Sequence, residues 1–372
     1  MLKKRLILLF LIISTLLTGC FNYRDINRVI FSTMLVIDVD EDDNIVIYSE
    51  CFHSFRSTLD NTEQGQRLVY KATGKTLFDA VRELNTFSRY KIDYSQCKVY
   101  IFTERAAKQG LGDLIDFLRR DQEFLLRAFI GVFLGTGEEL VKHVPKQDDF
   151  VGLLLEQMLQ SDFLSTIIVN YRFNEFLNTR NIGKHVNKIN AMYIDSTGPE
   201  NFIKVHGVAI IQDDIMVYKL DPQETVWCNI LYDQGRLKSG AIIVKHTDYE
   251  DKYVSLEIRK SKTTTNLHFD GRRINLIKKI NIDVVIADVQ DGLEWSEETL
   301  EKLEHLAEVK IKDETEALFG KLKAKGVDVL DIQHQVEMEY PGSDIENAIK
   351  ISNLTSDINV QILGSSNIRG SN

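Results

Sequence analysis

The residues with the clearest chemical role lie near the start of the chain, in the motif Leu17-Thr18-Gly19-Cys20. This spacing is that of a lipobox, in which a signal peptide is cut before a cysteine whose thiol receives a diacylglyceryl group. The motif therefore predicts cleavage between Gly19 and Cys20 and lipid attachment at Cys20. Two acyl chains, at about 0.8 kcal/mol per buried methylene, hold a folded domain on a bilayer, whereas one chain binds reversibly.

The segment before this motif has the composition of an export signal. Residues 1–5 carry three positive charges, and Leu6 to Leu17 form an apolar run. At about 1.5 Å per helical residue this run is too short to cross a hydrocarbon core of about 30 Å. We therefore interpret residues 1–19 as a cleaved signal peptide rather than as a permanent membrane helix.

The charge balance limits the possible partners of the chain. The formal net charge is −10, and it becomes −13 when Lys3, Lys4 and Arg5 leave with the signal peptide. Because nucleic acid and anionic lipid repel such a chain, we expect no nucleic-acid partner and an anchor that depends on the acyl chains. The full sequence has 44% hydrophobic residues, and the mature chain can bury the cores of two or three domains.

Motifs for catalysis or metal binding are not evident in the rest of the sequence. The eight histidines show no metal-ligand spacing, and Gly135-Thr136-Gly137 is too short to hold a phosphate. Asp38, Asp40 and Asp42 have the spacing of a calcium loop, but Asp43 stands where that loop needs glycine. We therefore expect no enzyme activity, no metal and no cofactor. A wall-remodelling enzyme stays an alternative, because many carboxylates are present and could include a catalytic pair.

The cysteines after Cys20 are Cys51, Cys97 and Cys228. Cys51 and Cys97 lie in apolar, strand-like runs, which is typical of small buried hydrophobic residues. A disulfide between two of the three is possible, and the sequence does not choose the pair.

The first half of the chain alternates between strand and helix patterns, which predicts a sheet covered by helices. The predicted strands are Phe31–Asp38, Ile45–Phe52, Leu68–Ala72, Lys98–Phe102 and Leu125–Leu134. The first two flank the polar turn 40–44 and should form a β-hairpin. Two helices should each bury one face, comprising Leu77, Ala80, Val81 and Leu84 in the first and Leu111, Leu114, Ile115 and Leu118 in the second. Shorter helices are predicted at Asp149–Leu159 and Phe173–Leu177.

The second half has a different pattern, after a predicted linker at residues 196–200. Two strands, Phe202–Gln212 and Ile215–Leu220, should form a hairpin around Asp213 and Asp214. Period-two alternation predicts antiparallel strands at Ala241–His246, Tyr253–Lys260, Thr263–Phe269 and Ile274–Ala287, and a last strand at Ile358–Leu363 should return to this sheet. A short helix is predicted at Thr225–Tyr232, and a long one begins after Ser296 and stops at Gly326. We therefore predict an α+β fold with an N-terminal domain at 20–195 and a C-terminal domain at 201–364, in which the long helix packs on an antiparallel sheet.

Several segments together resemble the Ger(x)C or GerAC-like lipoproteins, the C subunits of spore germinant receptors. The residues Cys20 to Asn27 resemble the family's opening motif, and Ala72 to Leu84 resemble its first helix signature. The run from Lys98 to Glu123 is similar to the strand, helix and Arg-Asp-Pro-Glu region that follows. Phe21 and Gln122 depart from the family's usual Trp and Pro.

The resemblance implies a receptor with integral membrane A and B subunits that responds to nutrients in the spore inner membrane. The lipid-anchored C subunit would lie on the extracytoplasmic face and act by binding rather than by catalysis. Arg24 and Asp25, close to the lipid, are the predicted contact with a partner, and a local ion pair is the alternative. A rival function is a solute-binding lipoprotein that captures the germinant, although such proteins usually have two similar lobes.

Overall fold

The computed structural model describes residues 29–56, 63–144, 148–161, 164, 166–232, 237–246, 251–290, 296–343 and 345–365, with the backbone alone at 53–56 and 63–65. The strands are β1 (Val29–Val39), β2 (Ile45–Arg56), β3 (Glu63–Gly74), β4 (Lys91–Asp93), β5 (Val99–Thr103), β6 (Phe129–Phe133), β7 (Val186–Asp195), β8 (Phe202–Gln212), β9 (Ile215–Leu220), β10 (Ala241–Lys245), β11 (Tyr253–Phe269), β12 (Ile274–Val289) and β13 (Ser352–Ser365). The helices are α1 (Leu77–Phe87), α2 (Glu104–Gln109), α3 (Gly112–Arg120), α4 (Gly137–Lys142), α5 (Val151–Gln160), α6 (Phe173–Thr179), α7 (Pro222–Tyr232), α8 (Glu297–Lys325) and α9 (Ile332–Glu339).

The first sheet has the order β3-β2-β1-β5-β6-β7-β8-β9, with the short β4 beside the start of β1. Strands β1, β5, β6 and β7 are parallel, and antiparallel strands flank them on both sides. The predicted hairpin is confirmed, since β1 and β2 pair antiparallel around the turn at 40–44. β1 is apolar almost throughout because helices cover both faces of the sheet.

Two helix layers enclose this sheet. Leu35 and Ile37 of β1 face the layer formed by α1, α2, α3 and α6, whereas Met34 and Val36 face α4 and α5. In α1 the predicted side chains are the buried ones, Leu77, Ala80, Val81 and Leu84. The predicted stripe of α3 is buried as well, which confirms the helical periodicity on both elements.

Residues 196–200, expected to be a linker, instead connect β7 to β8 within the first sheet. β7 and β8 pair antiparallel, from Val186 opposite Gln212 to Asp195 opposite Phe202. β9 then pairs with β8, so the first sheet continues to Leu220. The prediction of a linker at this place is wrong, because a turn between paired strands has the same polar, Gly- and Pro-containing composition. The division into domains at 20–195 and 201–364 stays a prediction.

The second sheet has the order β10-β11-β12-β13, and α8 packs on it. β11 is one strand of 17 residues where two strands were predicted. β10, β11 and β12 are antiparallel, but β13 is parallel to β12 because α8 provides the crossover between them. The predicted ends of α8 are confirmed: Ser296 Oγ accepts a hydrogen bond from the Thr299 amide, and Gly326 has a left-handed φ of 71°.

Both outer edges of the second sheet are hydrogen-bonded to side chains of α8. The amides of Val360 and Ile362 in β13 donate to Glu308 (3.1 Å) and Glu304 (2.7 Å). At the other edge, Lys310 Nζ donates to the carbonyl of Ile243 in β10 (2.7 Å). These bonds occupy backbone groups that an edge strand otherwise offers to another chain.

Candidate functional site

The predicted site residues Gly19, Cys20, Arg24 and Asp25 lie outside the described residues. The described chain begins at Val29, the first residue of β1. Lipid attachment at Cys20 and partner contact at Arg24 and Asp25 therefore stay predictions. Within the described residues, no helix is both long enough and apolar enough to cross a membrane.

The carboxyl end of the parallel strands is the usual place for a ligand in a sheet of this kind. The usual position is the switch point, where successive helices leave for opposite faces. Here α2 follows β5 and packs on one face, whereas α4 follows β6 and packs on the other. The switch point therefore lies between the ends of β5 and β6.

The carboxylate of Asp38 occupies this position. One of its oxygens accepts hydrogen bonds from Thr103 Oγ1 (2.6 Å) and from the Arg105 guanidinium (3.2 Å). The other accepts from the amide of Gly137 at the start of α4 (3.1 Å). Asp38 is buried. The donors that would hold a ligand anion at a switch point thus bind the protein's own side chain.

Glu50 forms a second internal anion site on the other side of β1. Its fully buried carboxylate accepts from Arg67 Nε (2.7 Å), Thr33 Oγ1 (2.8 Å) and the amides of Val151 (2.9 Å) and Gly152 (2.8 Å). The last two amides begin α5, so the carboxylate also meets the positive end of that helix. This role of Glu50 was not predicted from the sequence, where its signal is a charged residue in the apolar run Ile45–Phe52.

An open groove of about 920 Å³ lies between α4, α5 and the β7–β8 connection. Its lining mixes apolar and charged side chains: Glu139, Lys142, His143, Val144, Leu154, Met158, Ile194, Ser196, Pro199, Glu200, Asn201, Phe202 and Ile203. Val144 and Phe202 expose 63% and 42% of their surface. Burial, together with the positive charge of Arg67, lowers the pKa of His143. Such a lining is suited to a small molecule with both apolar and charged parts.

The first sheet is joined to the C-terminal part by a lysine of β7. Lys188 is buried, its ammonium donates to the carbonyl of Val329 (3.1 Å), and it lies 3.5 Å from the centre of the Tyr232 ring. The Tyr232 hydroxyl in turn donates to Asp331 (2.7 Å). This cation–π contact and the two hydrogen bonds fix α7 and the start of α9 against β7.

A second buried lysine, Lys278 of β12, lies in the C-terminal core. Its ammonium donates to Thr265 Oγ1 (2.6 Å), and only 2% of the residue is exposed. Burial, and next the positive charge of Lys188, lowers the pKa of Lys278 to about 8. Nearby, Asp328 accepts from the amides of Ile332 (3.0 Å) and Gln333 (2.7 Å) at the start of α9, and burial raises its pKa.

The three cysteines left open by the sequence are free thiols in the structure. All three are buried, and burial raises the pKa of Cys51 and of Cys97 to about 12. Because the thiolate is the reactive form, these side chains are not nucleophiles at neutral pH. Among the described residues, no group of three or more His, Cys, Asp or Glu side chains is placed to hold a metal ion.

Comparison with protein families identifies both parts of the chain. Residues 22–184 match the model of the spore germination protein N-terminal domain, and residues 206–371 match that of the spore germination B3/GerAC-like C-terminal domain. The chain belongs to the GerAC-like family of spore germination proteins. The resemblance seen in the sequence is thereby confirmed.

Individual members of the family align over most of their length. The chain is 20% identical to spore germination protein GerQC of Bacillus cereus over 333 residues, which cover 88% of each protein. It is 20% identical to spore germination protein KC of Bacillus subtilis (strain 168) over an alignment of 377 positions, gaps included, which covers 92% of this chain and 89% of the relative. The GerBC protein, known from a crystal structure, matches with a TM-score of 0.58 at 15% identity, over 88% of this chain and 96% of GerBC. The α+β fold class is confirmed.

The family-like segments are parts of the first sheet and of one helix layer. Residues 72–84 form the end of β3 and the start of α1, and residues 98–123 run through β5, α2 and α3. Within this GerAC-like region, Thr76 caps α1 and Thr103 caps α2 through their hydroxyls. Thr103 also donates to Asp38, so a single residue both caps α2 and binds the carboxylate that fills the switch point. We call this filled position the closed switch point.

Proposed function

We propose that the chain is the non-catalytic C subunit of a nutrient germinant receptor, anchored through acylated Cys20 to the extracytoplasmic face of the spore inner membrane. It acts by binding the integral membrane A and B subunits. Membership of the GerAC-like family supports the receptor role, and the motif Leu17-Thr18-Gly19-Cys20 supports the anchor.

The observation that carries the binding role is the closed switch point of the first sheet. Asp38 is bound there by Thr103, Arg105 and the Gly137 amide. A sheet whose usual ligand position is filled from within is suited to a rigid adaptor. Confinement of such an adaptor to the membrane surface raises its effective concentration near the membrane subunits.

Substitution of the lipid-bearing thiol tests the anchor. A Cys20→Ala variant is expected to leave the spore membrane fraction and to reduce germination by nutrients, measured as the loss of optical density. Cys51→Ala is the matched control, because it removes a buried thiol and keeps the lipid site. A full nutrient response from Cys20→Ala protein that carries no lipid would contradict anchoring by acylation.

The predicted partner contact at Arg24 and Asp25 is tested by reversing both charges. The double variant Arg24→Glu, Asp25→Arg keeps a local ion pair and presents reversed charges to a partner. We expect weaker co-purification with the A and B subunits at unchanged membrane retention. Unchanged co-purification assigns the two residues to a local ion pair instead.

Solute capture is the second candidate function, and the 920 Å³ groove is the observation in its favour. Calorimetric titration of the chain without its signal peptide, with amino acids as ligands, distinguishes solute capture from the adaptor role. The adaptor role predicts no saturable heat. Micromolar binding that Phe202→Ala abolishes, and that the exposed β9 control Val217→Ala leaves intact, would favour solute capture.

A further inference from the structure

The amino ends of the parallel strands, including β1, lie on one side of the first sheet. Two helices of one layer end on this same side. Gly74 pairs with Ile45, which pairs with Val39, so α1 begins at the carboxyl end of β1. The residues after α1 reach β4, where Lys91 pairs with Val29 at the opposite end. α1 therefore crosses the sheet and ends near the first described residue.

Helix α3 and the segment that follows it also reach the side of the sheet where the amino end of β1 lies. α3 comes after the carboxyl end of β5 and leads to Glu123, which forms an ion pair with Lys91. We call the surface formed by residues 87–93 and 119–127 the amino-edge surface. It surrounds the point where the chain that carries Cys20 enters β1.

The amino-edge surface combines exposed apolar side chains with an excess of cations. Phe87 and Leu126 expose 61% and 43% of their surface. The two segments carry five cations, Arg89, Lys91, Arg119, Arg120 and Arg127, and three carboxylates, Asp93, Asp121 and Glu123. Lys91 forms an ion pair with Glu123, and Arg119 lies 3.9 Å from Asp116, a carboxylate just outside the two segments. This positive balance contrasts with a formal net charge of −10 for the whole chain.

The opposite end of β1 carries charge of the other sign. The β1–β2 turn contains Asp40, Glu41, Asp42 and Asp43, of which the last three are exposed. Since a strand rises about 3.3 Å per residue, the 11 residues of β1 separate the two ends by roughly 30 Å. An anionic surface therefore attracts one end of the first sheet and repels the other.

The covalent chain limits how far this surface can lie from a lipid on Cys20. Eight residues separate Cys20 from Val29, and even a fully extended segment spans about 30 Å. Apart from Arg24 and Asp25, the same eight residues include Phe21, Tyr23 and Arg28, which are residue types that favour a membrane interface.

We propose that the amino-edge surface rests on the headgroups of anionic phospholipids, with its arginines at the phosphates and with Phe87 and Leu126 at the acyl boundary. The proposal rests on the anchor at Cys20 and deepens it, because it fixes which face of the anchored protein meets the bilayer. The acidic β1–β2 turn then points away from the membrane.

The test tethers the chain to vesicles without its own lipid. A hexahistidine tag replaces residues 1–20, and the vesicles contain phosphatidylglycerol and a nickel-chelating lipid. A polarity-sensitive dye is placed on Leu126→Cys, and on Asp42→Cys at the opposite end of β1 as the control. The native thiols are buried and do not compete for the dye. Quenching by a lipid-borne quencher then reports contact with the bilayer.

We expect severalfold stronger quenching of the dye at position 126 than at position 42. Replacing phosphatidylglycerol by phosphatidylcholine should reduce the difference, as should the double variant Arg89→Glu, Arg127→Glu. The matched control Lys262→Glu, an exposed charge on β11, should leave the difference unchanged.

Equal quenching at positions 126 and 42 on anionic vesicles would overturn the proposal. Shielding of position 126 only in membranes that contain the A and B subunits would also overturn it, and would assign the surface to a protein partner. Because the tag replaces Cys20, this result does not depend on acylation. Failure of the anchor proposal would appear only in the Cys20→Ala experiment, so the two failures are distinguishable.

Discussion

The two sheets differ in how many hydrogen-bond partners they give to a buried charged side chain. In the first sheet, the carboxylates of Asp38 and Glu50 each accept hydrogen bonds from several elements, and at least one donor carries a positive charge. In the second sheet, the ammonium of Lys278 donates to one neutral hydroxyl and forms no ion pair with a described residue. A buried charge with enough partners fixes neighbouring elements, whereas a poorly partnered one reduces stability.

This difference matches the positions of the three residues in the fold. Asp38 and Glu50 lie where strands meet the first turns of α4 and α5, whose free amides are ready donors. Lys278 lies in the middle of β12, where the neighbouring backbone groups are already paired within the sheet. Helix ends thus make the first sheet tolerant of buried carboxylates.

The largest effect is expected from Glu50→Ala, which removes the anion and leaves Arg67 Nε and two helix amides without their acceptor. We expect the free energy of unfolding to fall by about 4 kcal/mol, since breaking one side of a buried pair typically costs 3–5 kcal/mol. Urea denaturation followed by circular dichroism measures the loss. Glu138→Ala, at an exposed ion pair with Lys142, is the control and should change the free energy by less than about 0.5 kcal/mol. Equal losses in the two variants would contradict the comparison.

The opposite sign is expected for Lys278→Met, because an apolar side chain of similar length removes the cost of the buried charge. Folding lowers the pKa from 10.5 to about 8, which corresponds to a gain on the order of 3 kcal/mol at pH 7. Replacement of the exposed neighbour Lys279 by Met serves as the control. A loss of stability in Lys278→Met would mean that the hydrogen bond to Thr265 outweighs the burial of the charge.

The same lysine predicts a pH dependence. Between about pH 8 and pH 10.5 the unfolded chain binds the proton more tightly than the folded chain does, so the Lys278 contribution to stability rises with pH. Below pH 8 the full cost is present. Urea midpoints measured across this window should rise more steeply for the parent protein than for Lys278→Met. Identical slopes would remove Lys278 as the titrating group.

A smaller loss is expected for Asp38→Asn, which keeps the shape of the side chain at the switch point and removes its charge. Hydrogen bonds to charged groups contribute about 1.5–3 kcal/mol, so we expect a loss of about 2 kcal/mol in urea denaturation. Asp42→Asn, on the exposed turn at the same end of β1, is the matched control. A neutral result would show that the hydrogen bonds of Asp38 do not depend on its charge.

The smallest effect is expected for Gly326→Ala at the end of α8. This residue has φ of 71°, which alanine adopts at a cost of about 1 kcal/mol. The added methyl would lie 2.9 Å from Lys350 Cε, the flexible end of a side chain that can move away. Gly320, within the same helix and with open space around it, is the control, and Gly320→Ala should stabilise the protein. Equal results would show that the helix end is not limited by backbone conformation.

Much of the local structure followed from the sequence because its signals are local. The buried faces of α1 and α3, the cap at Ser296 and the stop at Gly326 depend on residues within one or two helical turns. The β8–β9 hairpin formed around Asp213 and Asp214, both with positive φ, for the same reason. In contrast, residues 196–200 were assigned to a linker, because composition does not distinguish a linker from a turn between paired strands.

The sequence by itself determined the family, the α+β class and the elements that periodicity and capping define. The tertiary structure alone decided the parallel pairing of β13, the filling of the switch point by Asp38 and the burial of Glu50 and Lys278. The physical reason is distance along the chain, since Asp38 meets Gly137 across 99 residues and Glu50 meets Val151 across 101. No local pattern encodes a carboxylate whose hydrogen-bond donors are brought to it only when the sheet and its helices pack together.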